Sequence, residues 1–402
     1  MQNLSSITDI HTVVNVQKPH KPTHIFRPKS IEKATKCFLN GFPGAVLYAV
    51  KTNPAPHVLQ SLYNNGIRKF DVASLGEIEL VNGLFPDANL FFMHTVKSRH
   101  AISEAYFKYG IRDFALDTEF ELNKILEETK NAKDLRLYVR LAISNEFAEL
   151  SLSGKFGVNL MEARNLLKKT RARAEKLGVC FHVGSQCMHP DAYRLALQVL
   201  QETIEEAAVK IDIIDVGGGF PSIYPGMKPL SMQMYFDTII DEFSNIPNNE
   251  NIELLCEPGR ALVAESGSVI VRVELRRGDH LYINDGTYGS LFDAGSPGFV
   301  FPVRLFCLDG ISDAYTTPFS FFGPTCDAID YMKGPFYLPD DVEEGNYIEV
   351  GQLGAYGYTM STQFNGFDVN KDVYFVSDEP LMSMYGDADD LLYPDPSEQL
   401  AA

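Results

Sequence analysis

Several short stretches of this sequence carry side chains that could do chemistry, and each also has a quieter explanation. Lys51 directly follows the apolar run LYAV (47 to 50). A lysine that starts in a desolvated setting loses its proton more readily, and the free amine is available for Schiff-base chemistry. The plainer alternative is a strand-end lysine reaching solvent. The run DVGGGFP (215 to 221) sets Gly217, Gly218 and Gly219 together, and bare backbone N–H groups of this kind can cradle a phosphate or simply make a tight turn. It is not a dinucleotide fingerprint, because the last glycine of GxGxxG falls on Ser222 and Phe220 with Pro221 delays any helix. CEPGR (256 to 260) offers Glu257 for a cationic ring nitrogen and Arg260 for a phosphate, or the two could pair with each other. His182 in FHVGSQC (181 to 187) could stack on a flat cofactor or sit satisfied in a core. In PTCDAID (324 to 330), the Cys326 thiol can deliver a proton and Asp327 can hold a cationic substrate end. The alternative there is a small buried cysteine beside a turn-forming acid.

Residues so far apart in sequence need a framework to meet. From residue 44 to about 257 short apolar runs alternate with stretches of helical spacing, the pattern of βα units. The candidate strands are 44 to 50, 69 to 74, 89 to 96, 113 to 117, 136 to 143, 178 to 185, 211 to 217 and 253 to 259. The clearest helix is 191 to 208, with Asp191 as its expected cap. Eight strands over about 210 residues suit a (β/α)₈ TIM barrel, with an open doubly wound sheet as the competitor. Reactive groups sit at the C-terminal strand ends of such a barrel. Here those ends carry Lys51, Asp71, His94, Arg140, His182, the three glycines, Glu257 and Arg260.

After residue 260 short β-branched and aromatic runs such as GSVIVRVEL (267 to 275), HLYIND (280 to 285) and NYIEVGQ (346 to 352) predict an all-β domain. The expected division is an N-terminal segment 1–29 that pairs with the β domain, a barrel 30–260, the β domain 261–377 and an acidic tail 378–402.

Composition narrows the function classes. Thirty-five Lys plus Arg against 53 Asp plus Glu give a net charge of −18, the wrong sign for a nucleic-acid partner. An acidic surface does suit cationic small molecules. The six cysteines lack CxxC spacing, so no metal site or disulfide scaffold is expected and a reducing, cytoplasmic setting fits. No basic start with an apolar h-region and no 18-residue apolar run appears, so neither secretion nor a membrane is expected. HExxH, the Walker lysine and GxSxG are missing as well.

Taken in order, YAVKTNP (48 to 54), FDVAS (70 to 74), KFG (155 to 157), FHVGSQC, DVGGGFP, CEPGR, NDGTYGS (284 to 290), GPTCDAID (323 to 330) and GAYG (354 to 357) closely resemble the fold-type III pyridoxal-phosphate decarboxylases. That group includes ornithine, lysine, diaminopimelate and biosynthetic arginine decarboxylases, and the likeness runs from about residue 24 to 367. It implies an alanine-racemase-like (β/α)₈ barrel, a C-terminal all-β domain and a head-to-tail homodimer with shared active sites. Lys51 would carry pyridoxal 5'-phosphate, His182 would stack on its ring and Glu257 would pair with the ring nitrogen. Ser185, Gly219, Gly259, Arg260 and Tyr356 would hold the phosphate, with Gly218 and Pro258 also against the cofactor. Asp71 and Arg140 would support Lys51, and Cys326 from the partner subunit would be the proton donor.

Diaminopimelate decarboxylases typically show Cys-Glu-Ser and an Arg-Pro-rich segment where this chain has CDAID and NDGTYGS, so a cationic distal group is expected. Asp327 and Asp293, with Phe292 beside it, would bind that group, although the segment LFDAGSPGF is shorter than its eukaryotic counterpart. The resulting expectation is decarboxylation of L-ornithine to putrescine and CO₂ in polyamine synthesis, with L-lysine to cadaverine as a second activity. One methylene separates the two substrates and discriminates by only about 1–3 kcal/mol. The rivals are a lysine-preferring or carboxynorspermidine-type decarboxylase, and a non-catalytic homologue acting as a binding protein. Loss of Lys51 or Cys326 would mark the last of these, and both are present.

Overall fold

The computed structural model describes residues 4–6, 9–151, 154–307, 310, 312–367 and 372–386. The tail expected from 378 therefore lies outside the described residues beyond 386. Contacts divide the chain into two compact units, one of Thr35–Pro221 with Pro229–Gly259, the other of Met1–Ala34, Ser222–Lys228 and Arg260–Ala402.

The first unit is a closed barrel. Its strands Ala45–Ala49, Lys69–Val72, Asn89–Phe92, Asp113–Leu116, Arg136–Arg140, Lys176–Cys180, Ile213–Asp215 and Glu253–Cys256 pair in parallel in that order. The last returns to the first through Leu255 opposite Ala45 and Cys256 opposite Val46. Closure decides against the open sheet. Several strands end earlier than their β-rich sequence predicts. The sixth stops at Cys180, because Gly184 takes a left-handed φ of +97° and Ser185–Cys187 pairs separately with Ala148–Leu150.

Side chains alternate along a strand, so one set of residues fills the interior. Leu47, Phe91, Met93, Ala115, Tyr138, Cys180, Ile213 and Leu255 form that packed layer. Ser74, Ser98, Thr118 and Asn159 each accept a backbone N–H at a helix start, which satisfies one of the donors a helix end leaves open. Helix Asp191–Ala207 differs from expectation. Pro190 occupies its cap position, and Asp191 lies inside the first turn accepting from Arg194 Nε at 3.0 Å.

The second unit holds a nine-stranded sheet running Leu4–Ser6, Asp372–Phe375, Thr23–Phe26, Gly267–Arg277, His280–Ile283, Thr316–Phe322 and Tyr331–Pro339. Tyr347–Val350 pairs with Gly267–Arg277 and with Val303–Phe306. The N-terminal residues Ile10, Val13 and Val14 pack on Ile25, Ile270, Phe306, Tyr347 and Val376. Among the described residues no helix is long and apolar enough to cross a membrane.

One buried ion pair ties the third barrel strand's exit to the helix after the fourth. Lys97 Nζ, fully buried, lies 3.0 Å from Glu121 Oε1 and donates to the carbonyls of His94 at 2.9 Å and Ala115 at 2.5 Å. Burial lowers its pKa to about 8. Glu121 also accepts from Lys97 N–H and pairs with Lys124. Glu121→Ala should thus destabilise the fold by about 3–5 kcal/mol, since it strands a buried ammonium. Lys97→Met should cost less, because Glu121 keeps Lys124. Urea unfolding of the two variants checks the order, and equal losses would refute it.

Candidate active site

The interior alternation continues past the packed layer, and at the C-terminal ends apolar residues give way to charged ones. Two residues beyond Tyr138, Cys180, Ile213 and Leu255 come Arg140, His182, Asp215 and Glu257. Lys51 lies in the short turn Val50–Thr52 that follows the first strand. Its Nζ is 3.5 Å from Asp71 Oδ2, with the lysine side chain 47% exposed and the aspartate 5%. The amine is therefore anchored by a buried carboxylate while half of the side chain stays reachable.

His182 Nδ1 accepts the Gly184 N–H at 3.0 Å. That bond places the ring hydrogen on Nε2. Burial holds the imidazole well below its usual pKa, with the Arg140 and Lys51 cations acting in the same direction, so the ring is neutral, and part of its surface remains accessible. The glycine turn lies against it. A Cβ on Gly218 would fall 2.7 Å from Glu257 O and 3.1 Å from His182 Nε2, and one on Gly219, at φ +106°, would fall 2.4 Å from Gly184 O. Only glycine fits these two approaches. Tyr193 OH donates to Gly218 O at 3.0 Å and Cys187 N–H to Gly219 O at 2.9 Å, which locks the turn to the helix and strand behind it. Ser185 opens the short strand beside it, Pro258 O accepts the Ala49 N–H at 3.2 Å, and a Cβ on Gly259 would fall 2.1 Å from Thr52 Oγ1. Arg140 lies over the Phe156 ring at 5.6 Å, and His94 meets that ring edge-on at 5.2 Å.

The second unit brings together two further groups. Arg260 is buried, donates from Nη1 to Tyr224 OH at 2.7 Å and pairs through Nη2 with Asp293 Oδ2 at 3.2 Å. Its guanidinium also lies 5.1 Å from the rings of Phe299 and Tyr356. Tyr356 adopts φ +63°, a strained conformation for a bulky residue. Phe292 and Asp293 share one short turn, the ring 38% exposed and the acid 8%.

The other group centres on Cys326 and Asp327. Cys326 is exposed, and both its N–H and its Sγ donate to Asn365 Oδ1, at 3.2 and 3.4 Å. Tyr288 OH donates to Asp327 Oδ2 at 2.6 Å. This bond, followed by the Ile329 N–H, lowers the Asp327 pKa and keeps the group anionic. Asp327 lines a cleft of about 640 Å³ with Tyr282, Phe322, Thr325 and Phe367.

Sequence reasoning did not single out Tyr288, Asn365 or Asp330. Tyr288 lies within the quoted NDGTYGS motif, so its signal was present, whereas Asn365 follows the last quoted motif. Asp330 is 1% exposed and accepts four hydrogen bonds. Its Oδ1 takes Thr287 N–H and Oγ1 at 2.8 and 3.1 Å, and its Oδ2 takes Thr325 N–H and Oγ1 at 3.1 and 2.7 Å. The carboxylate thereby joins the turn that carries Tyr288 to the loop that carries Cys326 and Asp327.

Residues 28–264 match the family of pyridoxal-dependent decarboxylases, over its pyridoxal binding domain. The chain is 30% identical to the lysine/ornithine decarboxylase of Selenomonas ruminantium, over 83% of this chain and 84% of that one. It is 31% identical to antizyme inhibitor 2 of Xenopus laevis, over 82% and 75%. Among solved structures, the arginine decarboxylase of Paramecium bursaria Chlorella virus bound to agmatine superposes with a TM-score of 0.80 at 27% identity, covering 91% of this chain and 99% of that one.

Asp330→Ala should lower stability by about 3 kcal/mol or more, because four donors lose a buried charged acceptor. Chemical denaturation reads this directly. A variant as stable as the parent would show that the two loops are ordered by other contacts.

Proposed function

Because the chain belongs to the pyridoxal-dependent decarboxylases, amino-acid lyases whose cofactor is pyridoxal 5'-phosphate, we propose that it removes the α-carboxylate of L-ornithine, and more slowly of L-lysine. The products would be CO₂ with putrescine or cadaverine. The observation that carries the substrate class is Asp327, a carboxylate kept anionic by Tyr288 beside an exposed thiol. A distal ammonium is the complementary group.

The residues present fit the cofactor. Arg260 is a buried cation whose Nε has no acceptor, which suits a phosphate. His182 offers a neutral ring, and the glycine turn packs against it without a side chain of its own. When bound, the cofactor supplies an aldehyde that condenses with amines and a ring that accepts the electron pair left by departing CO₂. Lys51 would hold it covalently, with Asp71 fixing the amine and Arg140 lining the pocket. Glu257 would face the ring nitrogen, with Pro258 beside it. Ser185, Gly218, Gly219, Gly259, Arg260 and Tyr356 would surround the phosphate. Cys326 would return a proton to the substrate carbon, held for that task by Asn365, while Asp327 and Asp293, with Phe292, would take the distal ammonium. In the proposed homodimer Cys326 and Asp327 serve the partner's barrel.

Purified, cofactor-loaded protein assayed for CO₂ release from ornithine, lysine, arginine and diaminopimelate should favour ornithine. Preference for arginine or diaminopimelate would overturn the substrate assignment, and release from none would favour the binding-protein alternative that the similarity to antizyme inhibitor 2 supports. Lys51→Ala should lack the absorbance of lysine-linked cofactor and lose essentially all turnover. Cys326→Ala should bind cofactor normally but lose clean decarboxylation, and unchanged turnover there would remove the thiol from its role.

A further inference from the structure

Asp215 is a buried acid of the barrel mouth that the proposed chemistry does not use, and its surroundings give it a task. It ends the seventh strand and is fully buried. Oδ1 accepts the Gly217 N–H at 2.8 Å, which fixes the carboxyl plane, while Oδ2 is buried with no donor. On the neighbouring strand Leu255 lies directly opposite Asp215, and Glu257 follows two residues later on the same face. The Glu257 N–H donates to Gly217 O at 2.8 Å, so the two backbones are held in register where the carboxyls meet. Glu257 Oε1 is likewise buried without a donor.

Two orphaned acceptors on facing acids are explained together if a hydrogen lies between them. The alternative is a pair of buried like charges in contact, which raises one member's proton affinity until it binds a proton. The other groups around the pair do not remove the conflict. They are the Cys180 and Cys256 thiols, the Asp71 carboxylate, the neutral His182 ring, and the Lys51 and Arg140 cations. Burial raises the pKa of both carboxyls; repulsion from Asp71 adds for both, and repulsion from Asp215 adds for Glu257.

We propose that Asp215 is a positioning residue that shares a single proton with Glu257 through the two orphaned oxygens, leaving the second Glu257 oxygen fixed in orientation toward the ring nitrogen. The pair then carries one negative charge, matched to one positive charge on a protonated ring. Only this last consequence rests on the cofactor placement proposed above. The shared proton stands without it.

Infrared difference spectra of the full-length protein at neutral pH test the pair. Asp215→Asn and Glu257→Gln should each lose the same protonated-carboxyl stretch, because either amide can donate to the remaining carboxylate and leave it ionised. Loss in one variant alone would assign the proton to one residue, and loss in neither would exclude a protonated pair. Either result overturns the proposal. The positioning role is read with cofactor carrying ¹⁵N in its ring. Asp215→Asn should move that resonance and lower kcat about tenfold, one unit of proton affinity, with KM nearly unchanged, and Asp215→Glu should restore part of both. A resonance that Glu257→Gln moves and Asp215→Asn does not would reject positioning. If the parent protein takes up no cofactor while the infrared result holds, the functional reading fails and the shared proton survives.

Discussion

Every residue at the barrel mouth depends on the seam where the eighth strand meets the first, Leu255 against Ala45 and Cys256 against Val46. That seam tolerates no bulk. A Cβ on Gly44 would lie 2.1 Å from Leu254 O, so the first strand can approach the eighth only because the residue just before it has no side chain. Once the ring closes, alternation leaves no freedom about what faces inward. The chain fills the middle of the interior with Leu47, Phe91, Tyr138, Ile213 and Leu255, then places charge one step further along the same face. Arg140 and Glu257 thus owe their places to strand register, whereas Lys51 and His182 are carried by the turns just beyond the first and sixth strands.

The β unit orders its groups by a different device. Asp330 and Glu349 are buried carboxylates, each surrounded by donors from several strands or turns. Glu349 accepts from Arg27, Ser268 and Arg304 Nη2, the last two at 2.8 and 2.7 Å, and so joins the end of strand Thr23–Phe26 to the sheet interior. Three donors on one carboxylate, two of them cationic, lower its pKa despite full burial. A buried ion pair contributes little net stability compared with apolar packing, but it is intolerant of rearrangement. Asp330 applies the same logic to the loops. Displacing either loop would leave a charge unsatisfied, so Tyr288 and Asp327 meet at a fixed distance.

The architecture was legible in the sequence because its signals repeat. Eight apolar runs separated by helical spacing identify a barrel even when single boundaries are uncertain, and all eight form strands. Boundaries were less legible for a physical reason. Segments such as GVCFHVGS remain β-rich past the last ladder bond, yet His182 and Gly184 leave the sheet to line the mouth, and nothing in residue preference marks that exit. Of the site, the motif residues stand out because lysine, histidine or a glycine triplet is unusual after an apolar run. Asp215 and Asp330 do not, since an acid beside glycine reads as a turn former. Their burial is a tertiary property. The ion pair of Asp293 with Arg260 is likewise one that no local pattern encodes.

The balance of charge at the mouth follows from these placements. Around the Asp215–Glu257 pair lie one further carboxylate, Asp71, and two cations, Lys51 and Arg140. Fully ionised, these five groups would carry −3 + 2 = −1, with Asp215 and Glu257 themselves buried where uncompensated charge is costly. One proton held between Asp215 and Glu257 reduces this to −2 + 2 = 0. The pair is then balanced by its immediate neighbours. That local balance contrasts with the net charge of −18 on the chain as a whole. The acidic exterior attracts cationic molecules at long range, while the interior presents paired groups whose orientations, rather than their total charge, decide what is held.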